Sequence, residues 1–460
     1  MNLPEAEKPL DDLNRRDFLR GASFGSLMVM MGGIPLHAQE KPGAAPADTG
    51  FDATGLPLNC AVIGCGVWGR EILHTLAVMP NAPVVAICDT YAGFLRRASE
   101  ITPKAAQFKD YRQVLELKEV QGVIVATPSH QHREIVEAAL KAGKHVYCEA
   151  PLAASIEDAR AIAQAAKAAV KLNFQAGLQA RSDPWRHYIV SKFLRVGAVG
   201  KNLSARSQWH ARDSWRRTAQ NPEREKELNW RLRRDVSPGI IGEAGVHQLD
   251  VMNWFLNERP TAVTGFGNIL AWSDGRDVPD TVQAVLEYPD QVNYLYDGTL
   301  GSSFEAECDT LFGTYATVMM RGTKGWLFKE SDSPLLGWEI YASKEQFHTE
   351  TGIVLSMNAT KSVKPKSAED AAYSESPLHF ALAAFLKNSN IVGTGAKNFS
   401  DTYGADTSDG LPEYMATLAK DRAAAAGFEE GFEATVCALK ANEAIVQGGK
   451  IVLKKEWFEI

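Results

Sequence analysis

"LNCAVIGCGVWGREILHTLAV", residues 58–78, decides the fold. The opening apolar run reads as a buried strand, and a helix follows from Trp68 to about Val78. Between them stands a GxGxxG of Gly64, Gly66 and Gly69. A glycine triplet alone is weak; one that leaves a buried strand and opens a helix has the context of a dinucleotide loop. Gly64 permits the tight turn, Gly66 lets backbone approach a pyrophosphate, and Gly69 lets helix and strand pack closely. The free N–H groups of the helix start, at Val67 and Trp68, then face the phosphates. Asp89 lies twenty residues past Gly69, at the end of the next strand. A carboxylate there accepts from ribose hydroxyls and repels a 2′-phosphate, which favours NAD. Arg96 and Arg97 follow and leave NADP open; a solvated helix face is their plainer reading. A doubly wound domain without ligand is the alternative for the whole motif.

The pattern continues outward as alternating strands and helices. "APVVAICD", "VQGVIVATP" and "KHVYCEAP" read as strands, and a helix from about Gln131 to Lys141 stops at Gly143. Ser155, with Asp158 three residues on, makes a capping box for an Ala-rich helix. This alternation argues for a parallel sheet covered on both faces. After about Gln179 the texture changes. A helix spans about 184–195, then strand-like runs dominate: "NLSARSQWHA", "AVTGFGNILAW", "DTVQAVLEY", "VNYLYDGTL", "TYATVMMRG" and "GWEIYAS". They predict a second domain around one mostly antiparallel sheet. Residues 358–376 read as a polar excursion, with helices near 377–386 and 432–447.

"ATPSHQHREIVEAALKAGKHVYCEAP" (126–151), "GLQARSDP" (177–184) and "GEAGVHQLD" (242–250) together resemble the glucose–fructose oxidoreductase, inositol dehydrogenase and rhizopine-catabolism (Gfo/Idh/MocA) family. The resemblance runs from about Leu58 to the C-terminus. It implies an α/β fold: an N-terminal Rossmann domain with a doubly wound parallel sheet (58–178), then an α+β domain with a large open-faced sheet (179–460). It implies a nicotinamide between the two, and dimers or tetramers packed through the open sheet. By that resemblance Thr127, Pro128, His132, Glu149 and Gln179 line the cofactor. Glu243 and His247 line the substrate, with Arg181 beside them. One departure is Ala150, where the family carries a lysine that supports proton transfer. Alanine can neither donate nor accept, and general acid–base help is worth about 10²–10⁴-fold. NAD-dependent glycosidases of the same fold also lack that lysine.

Glu243, His247 and Asp250 have i, i+4, i+7 spacing, which on one helix places them on one face. His247 titrates near neutrality and could take a hydroxyl proton, with Glu243 or Asp250 orienting its ring. A buried helix with an ordinary ion pair, or a metal site, are the rival readings; no further ligand residue supports the metal. "QWHARDSWRR" and "ELNWRLRRD" interleave Trp209, Trp215 and Trp230 with His210, Arg216, Arg217 and Arg231. Indole faces suit sugar C–H faces, and guanidinium forks suit hydroxyls and carboxylates. Sheet packing with a solvated arginine edge is the alternative. His130, near a helix start, reads as a hydrogen-bonding cap.

Ahead of the glycine loop, "NRRDFLRGASFGSLMVMMGGIPLHA" (14–38) pairs Arg15 and Arg16 with a short apolar run and a small residue. It reads as a twin-arginine export signal over 1–38, with a linker over 39–57; a basic arm with an amphipathic helix is the alternative. The apolar run is shorter than the ~20 residues of a membrane span. The chain has 460 residues, 45% of them hydrophobic, enough for two domains. A net charge of −7 gives no basic footprint for nucleic acid. The six cysteines form no CxxC pair, so no zinc ribbon is expected.

These readings predict an exported enzyme that takes hydride from a sugar C–OH with a tightly held, internally recycled NAD. A redox-neutral glycosidase or epimerase working through a transient keto sugar is the second reading. A non-catalytic nucleotide- or sugar-binding module is the third.

Overall fold

In the computed structural model the described residues are 56–322, 324–330, 333, 342–347, 350–355, 376–404 and 409–460. The expected export signal, the expected linker before Leu56 and the expected polar excursion at 358–375 lie outside them.

Six strands build the first sheet: β1 (Cys60–Ile63), β2 (Val84–Cys88), β3 (Ala106–Phe108), β4 (Gly122–Val125), β5 (His145–Cys148) and β6 (Phe174–Ala176). All pairs are parallel, in the order β3-β2-β1-β4-β5-β6. That is a doubly wound sheet whose strand order reverses between β1 and β4, the crevice where such sheets bind ligands. Helices α1 (Val67–Ala77), α2 (Ala92–Ile101), α3 (Tyr111–Glu116), α4 (His132–Lys141) and α5 (Ile156–Ala168) make the crossovers. Strands β1, β4 and β5 are buried throughout because both faces are covered. Gly143 ends the turn after α4 at φ +74°, and Ser155 accepts from the Asp158 N–H at 3.1 Å. The Asp158 side chain completes no box; it pairs with Arg133 at 2.9 Å.

The second sheet has ten strands: β7 (Asn202–His210), β8 (Ala262–Asn268), β9 (Thr281–Glu287), β10 (Asn293–Thr299), β11 (Glu307–Gly313), β12 (Ala316–Arg321), β13 (Lys324–Lys329), β14 (Ala342–Phe347), β15 (Glu350–Leu355) and β16 (Lys450–Val452). Its order is β14-β15-β13-β12-β11-β7-β10-β9-β8-β16, and only the β7–β10 pair is parallel. Helix α6 (Pro184–Ile189) stands between the sheets in sequence, and α7 (Pro222–Leu228), α8 (Gly239–Glu243) and α9 (Gly245–Leu256) lie between β7 and β8. The predicted 184–195 helix is α6 followed by a wider π turn at Val190–Leu194.

Three helices follow: α10 (Pro377–Tyr403), α11 (Leu411–Thr417) and α12 (Phe428–Gln447). They tie the sheets together. On α10, Leu378, Leu382 and Phe385 pack with Val62, Ile72, Ile124 and Tyr147 of the first sheet's core. On α12, Thr435 accepts from the Leu152 N–H at 3.0 Å, while Ile445 lies against Gly265 of β8. Helix α10 runs far past the predicted end at 386 despite Gly393 and Gly395. Gly395 is the close-approach point: a Cβ there would meet Leu418 at 2.3 Å. Packing, not propensity, keeps the helix going. No helix among the described residues is long and apolar enough to cross a membrane.

Candidate cofactor and substrate site

The glycine turn sits at the carboxyl end of β1. Gly64 has φ +96°, and a Cβ on it would lie 2.5 Å from the Ala126 carbonyl oxygen. Gly69 is tighter still, 1.8 Å from the Gly64 oxygen. Gly66 is different: a Cβ there meets nothing within 4 Å. Its glycine is not required by the protein's own packing, which fits a backbone that must admit a ligand. No side chain caps α1, so its first N–H groups remain available, and Val67 and Trp68 are exposed beside them. Asp89 accepts from the Cys65 N–H at 2.8 Å and the Tyr91 N–H at 2.7 Å, which fixes its carboxylate at the end of β2.

The turn after β4 carries Thr127 and Pro128. The Thr127 Oγ1 is buried without a hydrogen-bond partner, and so is Glu149 Oε1 after β5. Burial pushes the Glu149 carboxyl up to about 7. Such orphaned polar atoms beside the loop fit a bound polar group. Gln179 opens the turn after β6, half-buried. The residues present therefore fit a dinucleotide: an open Gly66, an uncapped helix start, a fixed Asp89 and unpartnered Thr127 Oγ1 and Glu149 Oε1. His132 plays another part. Its Nε2 lies 2.9 Å from the Thr127 oxygen and its Nδ1 3.2 Å from the Pro151 and Leu152 oxygens. The ring is a buried brace behind the turn, and burial drives its pKa down to about 4.

The expected single helix face of Glu243, His247 and Asp250 is not what forms. Ala244, at φ −117° and ψ −48°, breaks the run into α8 and α9, so Glu243 ends one helix and the other two lie on the next. Glu243 is buried and accepts from Ser129 Oγ at 2.9 Å; Arg231 Nε lies 3.4 Å from its other oxygen. Burial raises the Glu243 carboxyl, opposed by Arg231 and Ser129. Asp250 is held by Arg181, whose Nε and Nη2 donate at 2.9–3.1 Å. Neither carboxylate orients the His247 ring, which makes no hydrogen bond among the described residues. Burial, and then Arg186, push His247 down to about 4, so it is a neutral base at physiological pH.

The aromatic set divides as well. Arg231 lies over the Trp230 ring at 4.6 Å and the Trp215 ring at 5.7 Å, and Trp209 meets Trp215 at 6.0 Å. His210 does not join them. Strand alternation turns it to the opposite face of β7 from Trp209, where it contacts Asp297 and the Phe304 oxygen, each at 2.9 Å. Arg216 is bound by Glu225 of α7 and, at 2.5 Å, by the Asp274 carbonyl oxygen between β8 and β9. Arg217 pairs with Asp213 at 3.0 Å. The cap expected of His130 is absent; its Nδ1 is buried and unpartnered, and its ring meets Trp230 edge-on at 5.7 Å. Sequence reading passed over Ser129, although it lies inside the 126–151 motif, and over Arg224 and Tyr91, which no motif marks. No group of three or more potential metal ligands occurs among the described residues, and all six cysteines are free and buried.

These features define a two-domain oxidoreductase fold with a dinucleotide turn at its switch point. The model of the oxidoreductase family's NAD-binding Rossmann fold matches residues 58–177, and the GFO/IDH/MocA C-terminal domain matches 189–328. Together they cover more than half of the chain, and the protein belongs to the Gfo/Idh/MocA family. Inositol 2-dehydrogenase of Salmonella typhimurium is 30% identical over 206 residues, 44% of this chain and 56% of that protein. The 2,7-anhydro-N-acetylneuraminate hydratase of Escherichia coli is 30% identical over 235 residues, 50% of this chain and 59% of that one. The chain thus spans a little over half the length of these relatives. Levoglucosan dehydrogenase, solved with NADH and L-sorbose, shares the fold at TM-score 0.63 and 18% identity, over 87% of this chain and 100% of that one.

Proposed function

We propose that the protein is an NAD-dependent oxidoreductase that removes hydride from a C–OH of a sugar or sugar derivative and keeps its cofactor through the cycle. The Ser129–Glu243 hydrogen bond carries this reading, because it joins the α8–α9 junction to the turn at the carboxyl end of β4, beside the glycine loop. His247, three residues into α9, follows directly. NAD held by the Gly64–Gly69 turn, Asp89, Thr127 and Glu149 would supply the hydride acceptor and the means of its return. The neutral His247 ring takes the hydroxyl proton as the carbon becomes a carbonyl. Glu243, Arg231, Trp215 and Trp230 bind and orient the ring. Ala150 supplies nothing to the proton transfer, which places more of that task on His247.

The twin-arginine address supports a retained cofactor: a protein exported folded would meet no free nicotinamide pool, so hydride must return within the site. Packing of copies through the open sheet is supported by Phe266, Val285 and Leu295, exposed together on its outer face. Ala150 also favours a second reading, a redox-neutral glycosidase or epimerase in which the same carbon is oxidised and then reduced. A sugar and glycoside panel followed by NMR separates the two: paired oxidised and reduced products for the first, cleavage or inversion without net redox for the second. His247→Ala should abolish either turnover with NADH binding intact; full activity in that variant would remove the assignment.

A further inference from the structure

Residues 211–238 run from β7 to α8 and touch the first domain twice. At one end, Trp230 meets His130 edge-on, as described above. At the other, α7 starts at Asn221, whose side chain accepts from the Arg224 N–H at 2.9 Å, and carries Arg224 to the end of β2. Arg224 Nη1 donates to Thr90 Oγ1 at 3.3 Å and Nη2 to the Thr90 carbonyl at 3.4 Å. The guanidinium lies over the Tyr91 ring, 5.2 Å from its centroid, and Glu227 backs it at 2.5 Å. Thr90 and Tyr91 directly follow Asp89, the carboxylate placed for the ribose. Arg224 also helps keep that carboxylate ionised against its burial.

The nucleotide loop belongs to the first domain, and α7 brings Arg224 of the second domain onto Thr90 and Tyr91, at the end of β2 where the adenosine ribose would lie. With α7 in place, a planar cation from the second domain stands beside the ribose carboxylate, fixed by two hydrogen bonds and an aromatic face. We propose that Arg224 is a cofactor-binding residue contributed by the second domain, closing the adenosine end of the groove and slowing release of NAD. This rests on the reading that the groove holds NAD. The gain falls on dissociation, because affinity differences among variants of one site lie mostly in the off-rate.

The test is stopped-flow release of NADH fluorescence from the full chain, chased with excess NAD. Arg224→Ala should release NADH at least about tenfold faster than the unaltered protein, with unchanged far-UV circular dichroism. Arg224→Lys, which keeps the charge but cannot span both Thr90 oxygens, should fall between. Thr90→Val, which removes one acceptor and leaves the arginine, should move release a few-fold in the same direction and stands in if Arg224→Ala does not fold. Wild-type release rates in Arg224→Ala and Thr90→Val would overturn the proposal while leaving the cofactor reading intact. An unaltered chain that carries no NAD when purified and takes up no NADH would overturn both.

Discussion

Ser129 donates a 2.9 Å hydrogen bond to Glu243, and this bond links the turn after β4 to the helix junction that precedes His247. Glu243 is 4% exposed in its side chain, while its other partner, Arg231, is 43% exposed. Glu243→Gln keeps an acceptor for Ser129 and loses only the Arg231 ion pair, so stability should change by less than about 1 kcal/mol. If Glu243 orients substrate, kcat/KM should still fall by at least about tenfold, and Glu243→Ala should fall further. Steady-state kinetics beside thermal unfolding checks this; unchanged kinetics in both variants would reduce Glu243 to a domain tie.

The loop glycines separate packing from ligand space. Gly66→Ala places a methyl where no protein atom lies within 4 Å. It should fold with an unchanged melting temperature and lose NADH affinity by tenfold or more. Gly69→Ala drives a methyl to 1.8 Å from the Gly64 oxygen. It should lose both stability and binding. Thermal unfolding and NADH titration on the two variants distinguish these outcomes; full NADH affinity in Gly66→Ala would argue against phosphates over that residue.

Arg181 and Asp250 are a buried pair, with Asp250 at 2% side-chain exposure. Arg181→Ala strands that carboxylate, which should cost about 3–5 kcal/mol in urea unfolding. Asp250→Asn, which leaves a neutral partner, should cost less. Equal, small losses in both would mean that the pair is not coupled.

Glu149 gives a pH dependence. Its folded pKa of about 7 stands above the ordinary 4.5, so between these values the folded chain holds a proton that the unfolded chain has released. Its contribution to cofactor-free stability is therefore fully present below about 4.5 and lost as pH rises through about 7. Melting temperatures of the cofactor-free protein and of Glu149→Gln, compared from pH 4.5 to 8, should diverge with rising pH, the variant falling less. Parallel curves would contradict the burial of a carboxyl held above its ordinary pKa.

Much of this was legible in sequence. The 58–78 stretch announced the strand, turn and helix because a buried parallel strand and a glycine turn are local patterns. The second sheet was legible as a run of alternating strands. Other features were tertiary. The break at Ala244 has no breaker residue; it separates Glu243 from His247 where helical spacing joined them. Whether His210 or Trp209 faces the helices depends on the register of β7, which periodicity alone leaves open. Arg181 was expected at the substrate, but its partner Asp250 is remote in the chain. Arg224 sits in a charged stretch that reads as a solvated helix, and only the path of residues 211–238 brings it to Thr90.

The central claim is that a dinucleotide is seated on the Gly64–Gly69 turn and stays there. Freshly purified protein, denatured and analysed by mass spectrometry, should release close to one NAD or NADP per chain. Protein that releases none, and that binds neither NADH nor NADPH when titrated, would contradict it.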